Sequence, residues 1–150
     1  MRVVIQRVSK ATLYVDGVFH NSIDQGMLVL SCFEQSDTKE DLEWVAAKLS
    51  KLRIFDDQKG VMNCSINDIN GQMMIVSQFT LMASTKKGNR PSYLKAAPPE
   101  ISKPLFDSFL SLSQSYINNT VASGVFGADM QIELINNGPV TITIDSKNKE

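Results

Sequence analysis

The chain has 150 residues, of which 43% are hydrophobic and 21% are charged, and its formal net charge is −1. These values are typical of one globular domain, and they argue against a disordered chain, a fibrous repeat or a protein that attracts nucleic acid through its overall charge. No apolar run approaches the ~18 residues of a membrane-spanning helix and no signal peptide is evident, so we expect a single cytoplasmic domain over residues 1–150 with no membrane contact.

The first half of the chain predicts strands followed by one helix. Residues 2–8 and 11–15 alternate like half-buried strands, and an Asp-Gly hairpin-turn signal follows at residues 16–17. Residues 27–33 are almost wholly apolar, which is typical of a strand buried on both faces. Residues 37–54 predict a helix capped by an Asp or Thr at its start. Its apolar residues recur at helical spacing: Leu42, Val45, Ala46, Leu49 and Leu52.

The second half predicts one further long strand, a loop, a helix and two short strands. The long strand covers residues 72–81, and the loop over residues 82–99 is rich in small, basic and proline residues. The helix covers residues 104–117 and begins with a proline, which the first turn of a helix tolerates. Residues 131–135 and 140–144 are the last strands. Together these elements predict an α+β domain with largely antiparallel, barrel-like sheets and two main helices.

A single histidine and two cysteines restrict the chemistry that this chain can perform. His20 follows the turn signal and is expected in a loop, while Cys32 lies in an apolar segment and is expected to be a small buried hydrophobe. Neither a Cys-x-x-Cys pair nor a His-Glu-x-x-His motif is present, so we expect no metal site. If the chain is an enzyme, its chemistry must come from hydroxyls, backbone groups, lysines or the substrate.

Hydrogen-bonding side chains interrupt the apolar pattern at the end of the strand over residues 72–81. Ser77, Gln78 and Thr80 occur there within four residues. Buried polar groups cost about 1–3 kcal/mol each when they have no partner. Either the strand emerges into solvent at this point, or its hydroxyl and N–H groups form the wall of a pocket. The sequence pattern is compatible with both interpretations.

The loop that follows is the basic part of the chain. No Asp or Glu occurs between Asp68 and Glu100, whereas Lys86, Lys87 and Arg90 occur in this interval together with one further lysine. A few such cations suffice to contact a nucleic-acid backbone. The alternative is a solvated loop without a ligand, and the charge pattern alone does not decide between the two.

Gly138 and Pro139 stand between the last two predicted strands. Proline cannot donate to a sheet ladder, so these residues are expected to form a tight connection. Glycine also allows the backbone to approach another molecule closely. Locally, a plain turn is the favoured interpretation.

Four short blocks carry more specific information because they occur together and in a fixed order. They are Ser77-Gln78-Phe79-Thr80-Leu81, Gly88-Asn89-Arg90-Pro91-Ser92, Gly124-Val125-Phe126-Gly127-Ala128-Asp129-Met130 and Asn136-Asn137-Gly138-Pro139-Val140-Thr141. With the N-terminal segment over residues 1–8, they resemble the D-aminoacyl-tRNA deacylase family over nearly the whole chain. The sequence departs from the family pattern beside two blocks, at Asn137 and at Ala83-Ser84, where Asp is common in the family.

The resemblance implies hydrolysis of the ester between tRNA and a D-amino acid, or glycine mischarged on tRNA-Ala, in a homodimer with active sites at the subunit interface. The pocket and catalytic residues would be Ser77, Gln78, Phe79 and Thr80. Gly138 and Pro139 would form a chirality filter, with a cis peptide bond and a tip that enters the partner's site, and Arg7 would hold it. Phe126 and Met130 would lie near the adenosine and the substrate amine. No cofactor is implied.

An aminoacyl ester is already activated, so backbone donors and the substrate's own ribose hydroxyl can suffice for the reaction. The N–H groups around Phe79 and Thr80 are candidates for an oxyanion hole. Thr80 is less suitable as a nucleophile, because no base is placed to activate it. Two other classes remain open: a module that binds the RNA end without catalysis, and a general esterase that needs no tRNA.

Overall fold

Two helices and eight strands build an α+β domain in the computed structural model, which describes residues 1–149. The predicted fold class, a barrel-like α+β domain with two main helices, is confirmed. The helices are α1 (Lys39–Lys51) and α2 (Pro99–Tyr116). The strands are β1 (Arg2–Val15), β2 (Val18–Ile23), β3 (Gly26–Cys32), β4 (Phe55–Asp56), β5 (Met62–Cys64), β6 (Gln72–Ser77), β7 (Val121–Ser123) and β8 (Met130–Asp145).

Strand β1 organises the main sheet because it pairs on both of its edges. Along one edge it runs antiparallel to β8, from Arg2 opposite Asp145 to Val15 opposite Met130. Along the other edge its first half pairs with β3 and its second half with β2, also antiparallel. The two short strands predicted at residues 2–8 and 11–15 are therefore one strand. The shifts in its register against β8 lie at residues 6–10.

The other side of the sheet is parallel, which the alternation of apolar residues does not reveal. Strand β3 pairs with β6 and β6 pairs with β7, both in the parallel sense. Parallel neighbours need a long crossover. Helix α1 and the small β4–β5 hairpin lie in the first crossover, and α2 lies in the second. The sheet is therefore mixed, and the expectation of a largely antiparallel sheet holds for the β1, β2, β3 and β8 pairings only.

Apolar residues cover both faces of the central strands. On one face Met27, Val29 and Ile75 pack with the two helices, and on the other Leu28 and Met74 pack in a second cluster. This alternation explains the continuous apolar run of β3, which is buried on both faces as predicted. No helix within residues 1–149 is long and apolar enough to span a membrane.

Among the element boundaries that differ from the sequence prediction, two bear on the site and on the second helix. Strand β6 ends at Ser77, and residues Phe79–Met82 form a 3₁₀ turn where a strand was predicted. Helix α2 begins at Pro99, so Pro104 lies inside the helix and the prediction that Pro104 opens it is wrong. Pro99 explains the error, since it supplies the first-turn proline that the pattern assigned to Pro104.

Candidate active site

A cavity of about 620 Å³ opens where β3 and β6 end side by side. Ser31 and Ser77 are paired at the last step of this parallel ladder, and both contribute to the cavity wall. The carboxyl ends of neighbouring parallel strands are a recurrent place for ligand sites. The lining residues are Ser31, Cys32, Phe33, Ser77, Gln78, Phe79, Tyr93, Ala96, Ala97, Pro99, Ser102, Phe126, Gly127, Ala128, Asp129 and Met130.

The polar groups at the end of β6 form hydrogen bonds where the strand ends and the 3₁₀ turn begins. The backbone N–H of Gln78 donates to the carbonyl oxygen of Ser31 at 2.7 Å. The side-chain amide of Gln78 donates from Nε2 to Oγ1 of Thr80 at 2.6 Å. Ser77, Gln78 and Phe79 line the cavity, whereas Thr80 lies outside its lining. The segment is thus a pocket wall followed by a turn.

The 3₁₀ turn presents backbone donors next to the cavity. Phe79 and Thr80 are its first residues, and the first N–H groups of a helical turn have no acceptor within that turn. The later N–H groups are used internally, because Leu81 N–H donates to the carbonyl oxygen of Gln78 at 3.2 Å and Ala83 N–H to that of Thr80 at 3.0 Å. The first two N–H groups are therefore the ones suited to bind an oxyanion.

Cys32 lies at the cavity but is poorly suited to be a nucleophile. Its Sγ is 3.3 Å from the carbonyl oxygen of Phe79, a distance at which the thiol can donate a weak hydrogen bond. Burial raises the pKa of the thiol to about 11, so it stays protonated at neutral pH. The prediction that Cys32 is a small buried hydrophobe agrees with this environment.

The opposite wall of the cavity comes from the segment before β8. Phe126 packs against Phe106 of α2, with ring centroids 5.8 Å apart. Met130 is the first residue of β8, and its Sδ fills the space beside Gly124, where an added Cβ would lie 2.7 Å from this sulfur. Asp129, between them, contributes the carboxylate among the lining residues. Phe126 and Met130 thus share one pocket with Ser77, Gln78 and Phe79.

Gly138 and Pro139 form a protrusion in the middle of β8. Gln6 pairs with Thr141 and Val8 pairs with Asn136, so three more residues lie between the paired positions on β8 than on β1. The two halves of β8 continue in one direction along β1, and the expected turn between two strands is instead a bulge in one strand. The Gly138–Pro139 peptide bond is cis, as the resemblance implies.

Arg7 lies beneath this protrusion, which we call the Gly-Pro loop (residues 137–140). Its side chain is buried, and Nε donates to the carbonyl oxygen of Asn137 at 3.0 Å. Nη1 donates to the carbonyl oxygen of Ile54 at 2.7 Å and to Oδ1 of Asp56 at 3.2 Å. Gly138 has a φ of +126°, and an added Cβ there would lie 3.0 Å from Nη2 of Arg7. The tip of the Gly-Pro loop is exposed and lies outside the cavity of its own chain.

The basic residues lie on a separate loop that precedes Tyr93 of the cavity lining. Ser84 and Ser92 exchange two backbone hydrogen bonds of 2.8 and 2.9 Å, which close a loop over residues 85–91. We call it the basic loop. Lys86, Lys87 and Arg90 are all exposed on it.

Sequence reasoning missed some residues of the site, and it assigned His20, which lies outside the site, to the wrong kind of element. Tyr93 and Asp129 line the cavity, although the sequence analysis gave neither a role; each lies beside or within a recognised block, which is the signal that could have found them. His20 is an exposed residue of strand β2, not of a loop, and it lies outside the cavity lining. Within residues 1–149 no three His, Cys, Asp or Glu side chains are grouped to hold a metal ion.

Comparison with known proteins decides the family. The family model described as D-Tyr-tRNA(Tyr) deacylase matches residues 4–145. The chain belongs to this family. Membership places it among hydrolases of the aminoacyl-tRNA ester bond. Over all 150 residues of both chains, it is 55% identical to the D-aminoacyl-tRNA deacylases of Porphyromonas gingivalis ATCC 33277 and of Flavobacterium psychrophilum.

Two solved structures share the fold. A structure described as c-Myc DNA Unwinding Element Binding Protein superposes with a TM-score of 0.92 at 35% identity and covers 97% of this chain and 98% of its own. A second, described as a probable eukaryotic D-amino acid tRNA deacylase, has a TM-score of 0.81 at 19% identity, covering 95% of this chain and 97% of its own. At that identity the second likeness concerns the fold alone.

Proposed function

We propose that this chain hydrolyses the ester bond of D-aminoacyl-tRNA, and of glycyl-tRNA mischarged on tRNA-Ala, as a cytoplasmic proofreading enzyme of translation that acts as a homodimer. The observation that carries the proposal is the cavity at the ends of β3 and β6, where the first N–H groups of the 3₁₀ turn lie beside Ser77 and Gln78. The names of the full-length relatives at 55% identity support the same reaction.

Hydrolysis at such a site needs little from side chains. Water attacks the ester carbonyl carbon, the bond to the ribose oxygen breaks, and that oxygen takes up a proton. The N–H groups of Phe79 and Thr80 stabilise the oxyanion that forms, and one such donor contributes about 3–4 kcal/mol to the transition state. The neighbouring ribose hydroxyl orients the water. Thr80 stabilises the 3₁₀ turn, because its hydroxyl oxygen accepts a hydrogen bond from the side-chain amide of Gln78.

The Gly-Pro loop supplies the chirality filter to a second copy of the chain. Its exposed tip and its position outside its own cavity support action in the partner's site. Attraction to a side chain discriminates poorly, since a methylene is worth only ~1–3 kcal/mol, so rejection of L-amino acids needs a rigid obstacle. Proline fixes φ, glycine permits close approach, and Arg7 anchors the loop through Asn137. Glycine, which has no side chain, passes this filter.

The remaining site residues bind the acceptor end of the tRNA. Phe126 and Met130 form the wall that receives the terminal adenosine and the substrate amine, which their place in the cavity supports. Lys86, Lys87 and Arg90 contact phosphates without reading sequence, which the exposure of the basic loop and its lack of carboxylates support.

A multiple-turnover assay tests this function. D-Aminoacyl-tRNA in large excess over the protein is expected to be deacylated completely, with a rate proportional to enzyme concentration. A module that only binds the RNA end would release no more than a stoichiometric amount. A simple D-aminoacyl ester without tRNA is the second substrate, and equally efficient cleavage of it would identify a general esterase. Replacing the terminal 2′-hydroxyl by hydrogen is expected to slow the reaction sharply.

A further inference from the structure

Two aromatic side chains form an exposed pair at the rim of the cavity. Phe79 is 58% exposed and Tyr93 is 38% exposed, although both line the cavity. Their ring centroids are 5.1 Å apart and their planes are inclined at 73°, an edge-to-face contact. Such a contact covers one face of one ring only. It holds the two rings together and leaves their other faces available for stacking. The exposed parts of both rings are apolar surface that a flat ligand can cover.

This aromatic pair adjoins the basic loop. Tyr93 follows Ser92 directly, and Ser92 is one of the two residues whose backbone hydrogen bonds close that loop. The Tyr93 ring therefore stands next to the point where the two ends of the basic loop meet. No Asp or Glu occurs in this part of the chain from residue 69 to residue 99, and the carboxylate among the lining residues, Asp129, comes from the segment before β8.

We propose that Phe79 and Tyr93 are a stacking platform for the base of the nucleotide that precedes the terminal adenosine of the substrate. The inference rests on the proposed function, which places the aminoacyl-adenosine inside the cavity. The preceding nucleotide is then single-stranded RNA at the rim, next to the basic loop. Proteins hold single strands by stacking bases on aromatic rings and by tracking the backbone with cations, and both elements occur here side by side.

The platform makes the enzyme sensitive to the length of the RNA end and tolerant of its sequence, because every base has a face that can stack. Stacking of one base on an aromatic ring changes affinity by about 5- to 150-fold. We therefore expect a substrate with at least two nucleotides to be used more efficiently than an aminoacylated adenosine alone. A surface that binds a protein or a second copy of the chain would not produce this preference for a longer RNA end.

The test compares two substrates, a D-aminoacyl-adenosine and a D-aminoacyl-trinucleotide that ends in the same adenosine. For the wild-type chain, kcat/KM is expected to be higher for the trinucleotide. In Tyr93→Ala the ratio of the two kcat/KM values is expected to fall about 5- to 150-fold, and in Tyr93→Phe it is expected to be retained. Leu94→Ala is the matched control, since Leu94 is the next residue and 96% exposed, and its ratio should equal that of the wild type.

A spectroscopic readout accompanies the kinetics. A 2-aminopurine placed before the terminal adenosine of an RNA hairpin is expected to lose fluorescence on binding the wild-type chain and Tyr93→Phe, but not on binding Tyr93→Ala. An unchanged substrate ratio in Tyr93→Ala overturns the platform even if deacylation is intact. A change of oligomeric state in Tyr93→Ala at unchanged ratio overturns it as well and identifies a subunit contact. Failure of the wild type to hydrolyse D-aminoacyl-tRNA itself, measured in parallel, overturns the proposed function, and the platform with it.

Discussion

The guanidinium of Arg7 donates from Nε to the carbonyl oxygen of Asn137 at 3.0 Å and so connects strand β1 to the Gly-Pro loop. The same guanidinium also donates from Nη1 to the carbonyl oxygen of Ile54 at 2.7 Å, which fixes it from the other side. A planar fork can serve several acceptors in fixed directions, whereas an ammonium is a single point of charge. We therefore expect the orientation of Gly138 and Pro139 to depend on an arginine at position 7.

Replacing this anchor is expected to impair discrimination more than hydrolysis. Arg7→Lys keeps the charge but cannot reach the carbonyl oxygens of Asn137 and Ile54 together. Hydrogen bonds of charged groups contribute about 1.5–3 kcal/mol, so the preference for D- over L-aminoacyl-tRNA should fall about 10- to 150-fold. Arg53→Lys is the matched control, since Arg53 is exposed and donates to Asn63 in the β4–β5 hairpin. Equal discrimination in Arg7→Lys and wild type would show that the anchor is dispensable.

Thr80 tests the claim that no side chain acts as a nucleophile. Thr80→Ala removes the hydroxyl that accepts the Gln78 hydrogen bond but keeps the backbone N–H, so substantial activity is expected to remain. His20→Ala, on the exposed strand β2, is expected to match the wild type. The measurement is kcat under saturating substrate. A loss near the ~10⁶-fold that follows removal of a true nucleophile, or a trapped acyl-Thr80, would contradict the mechanism.

Local sequence patterns predict the individual strands and helices, but they do not predict strand direction or register. The apolar run of β3 and the helical spacing of α1 are visible in the sequence because burial and periodicity are properties of a single segment. The parallel pairing of β3 with β6 is not visible, since strand direction depends on the crossover through α1. The bulge at residues 137–140 depends in the same way on the register of β8 against β1.

In the candidate site too, local sequence patterns indicate some residues and not others. Ser77 and Gln78 were recognisable because polar residues at the end of an apolar strand need partners, whereas Phe79 was named only through the block that carries the resemblance. For Tyr93 the only signal was its place directly after the block over residues 88–92, because nothing in its own residue pattern indicates that its ring packs against Phe79.

Charge neutralisation tests the basic loop. A variant with Lys86, Lys87 and Arg90 all changed to Gln is expected to bind every tRNA more weakly, and to lower the slope of log affinity against log salt by about one unit per lost phosphate contact. The control neutralises Lys10, Lys51 and Lys59, which are exposed on other elements, so that the total charge of the two variants is equal. If both triple variants show the same affinity and salt slope, the basic loop has no special part in binding.

Acid stability tests the connection between Arg2 and Asp145. Arg2 donates from Nη2 to Oδ2 of Asp145 at 2.8 Å and from Nη1 to the carbonyl oxygen of Leu81 in the 3₁₀ turn at 2.8 Å. Burial raises the pKa of Asp145, but the hydrogen bonds from Arg2 and from the Lys147 N–H outweigh it and hold the pKa below its usual range. A lowered pKa in the folded state stabilises the fold above the unfolded pKa of about 3.9, and this stabilisation is lost as the pH falls through the folded value.

The free energy of unfolding of Asp145→Asn should therefore depend less on pH below about pH 4 than that of the wild type. Arg2→Met removes one of the two hydrogen-bond donors and should flatten part of the same curve, and it should have no further effect on the pH dependence in an Asp145→Asn background. Chemical denaturation at several pH values measures this. Additive effects of the two substitutions would show that the residues do not act as a pair.

The most direct test of the account is the ratio of kcat/KM for D-tyrosyl-tRNA to that for L-tyrosyl-tRNA with the unaltered chain. A rigid backbone obstacle predicts rapid, multiple-turnover deacylation of the D-substrate and a ratio well above the ~200-fold that attraction to a side chain supplies. Efficient hydrolysis of L-tyrosyl-tRNA, with a ratio near one, would contradict the central claim that this chain is a chirality-selective deacylase.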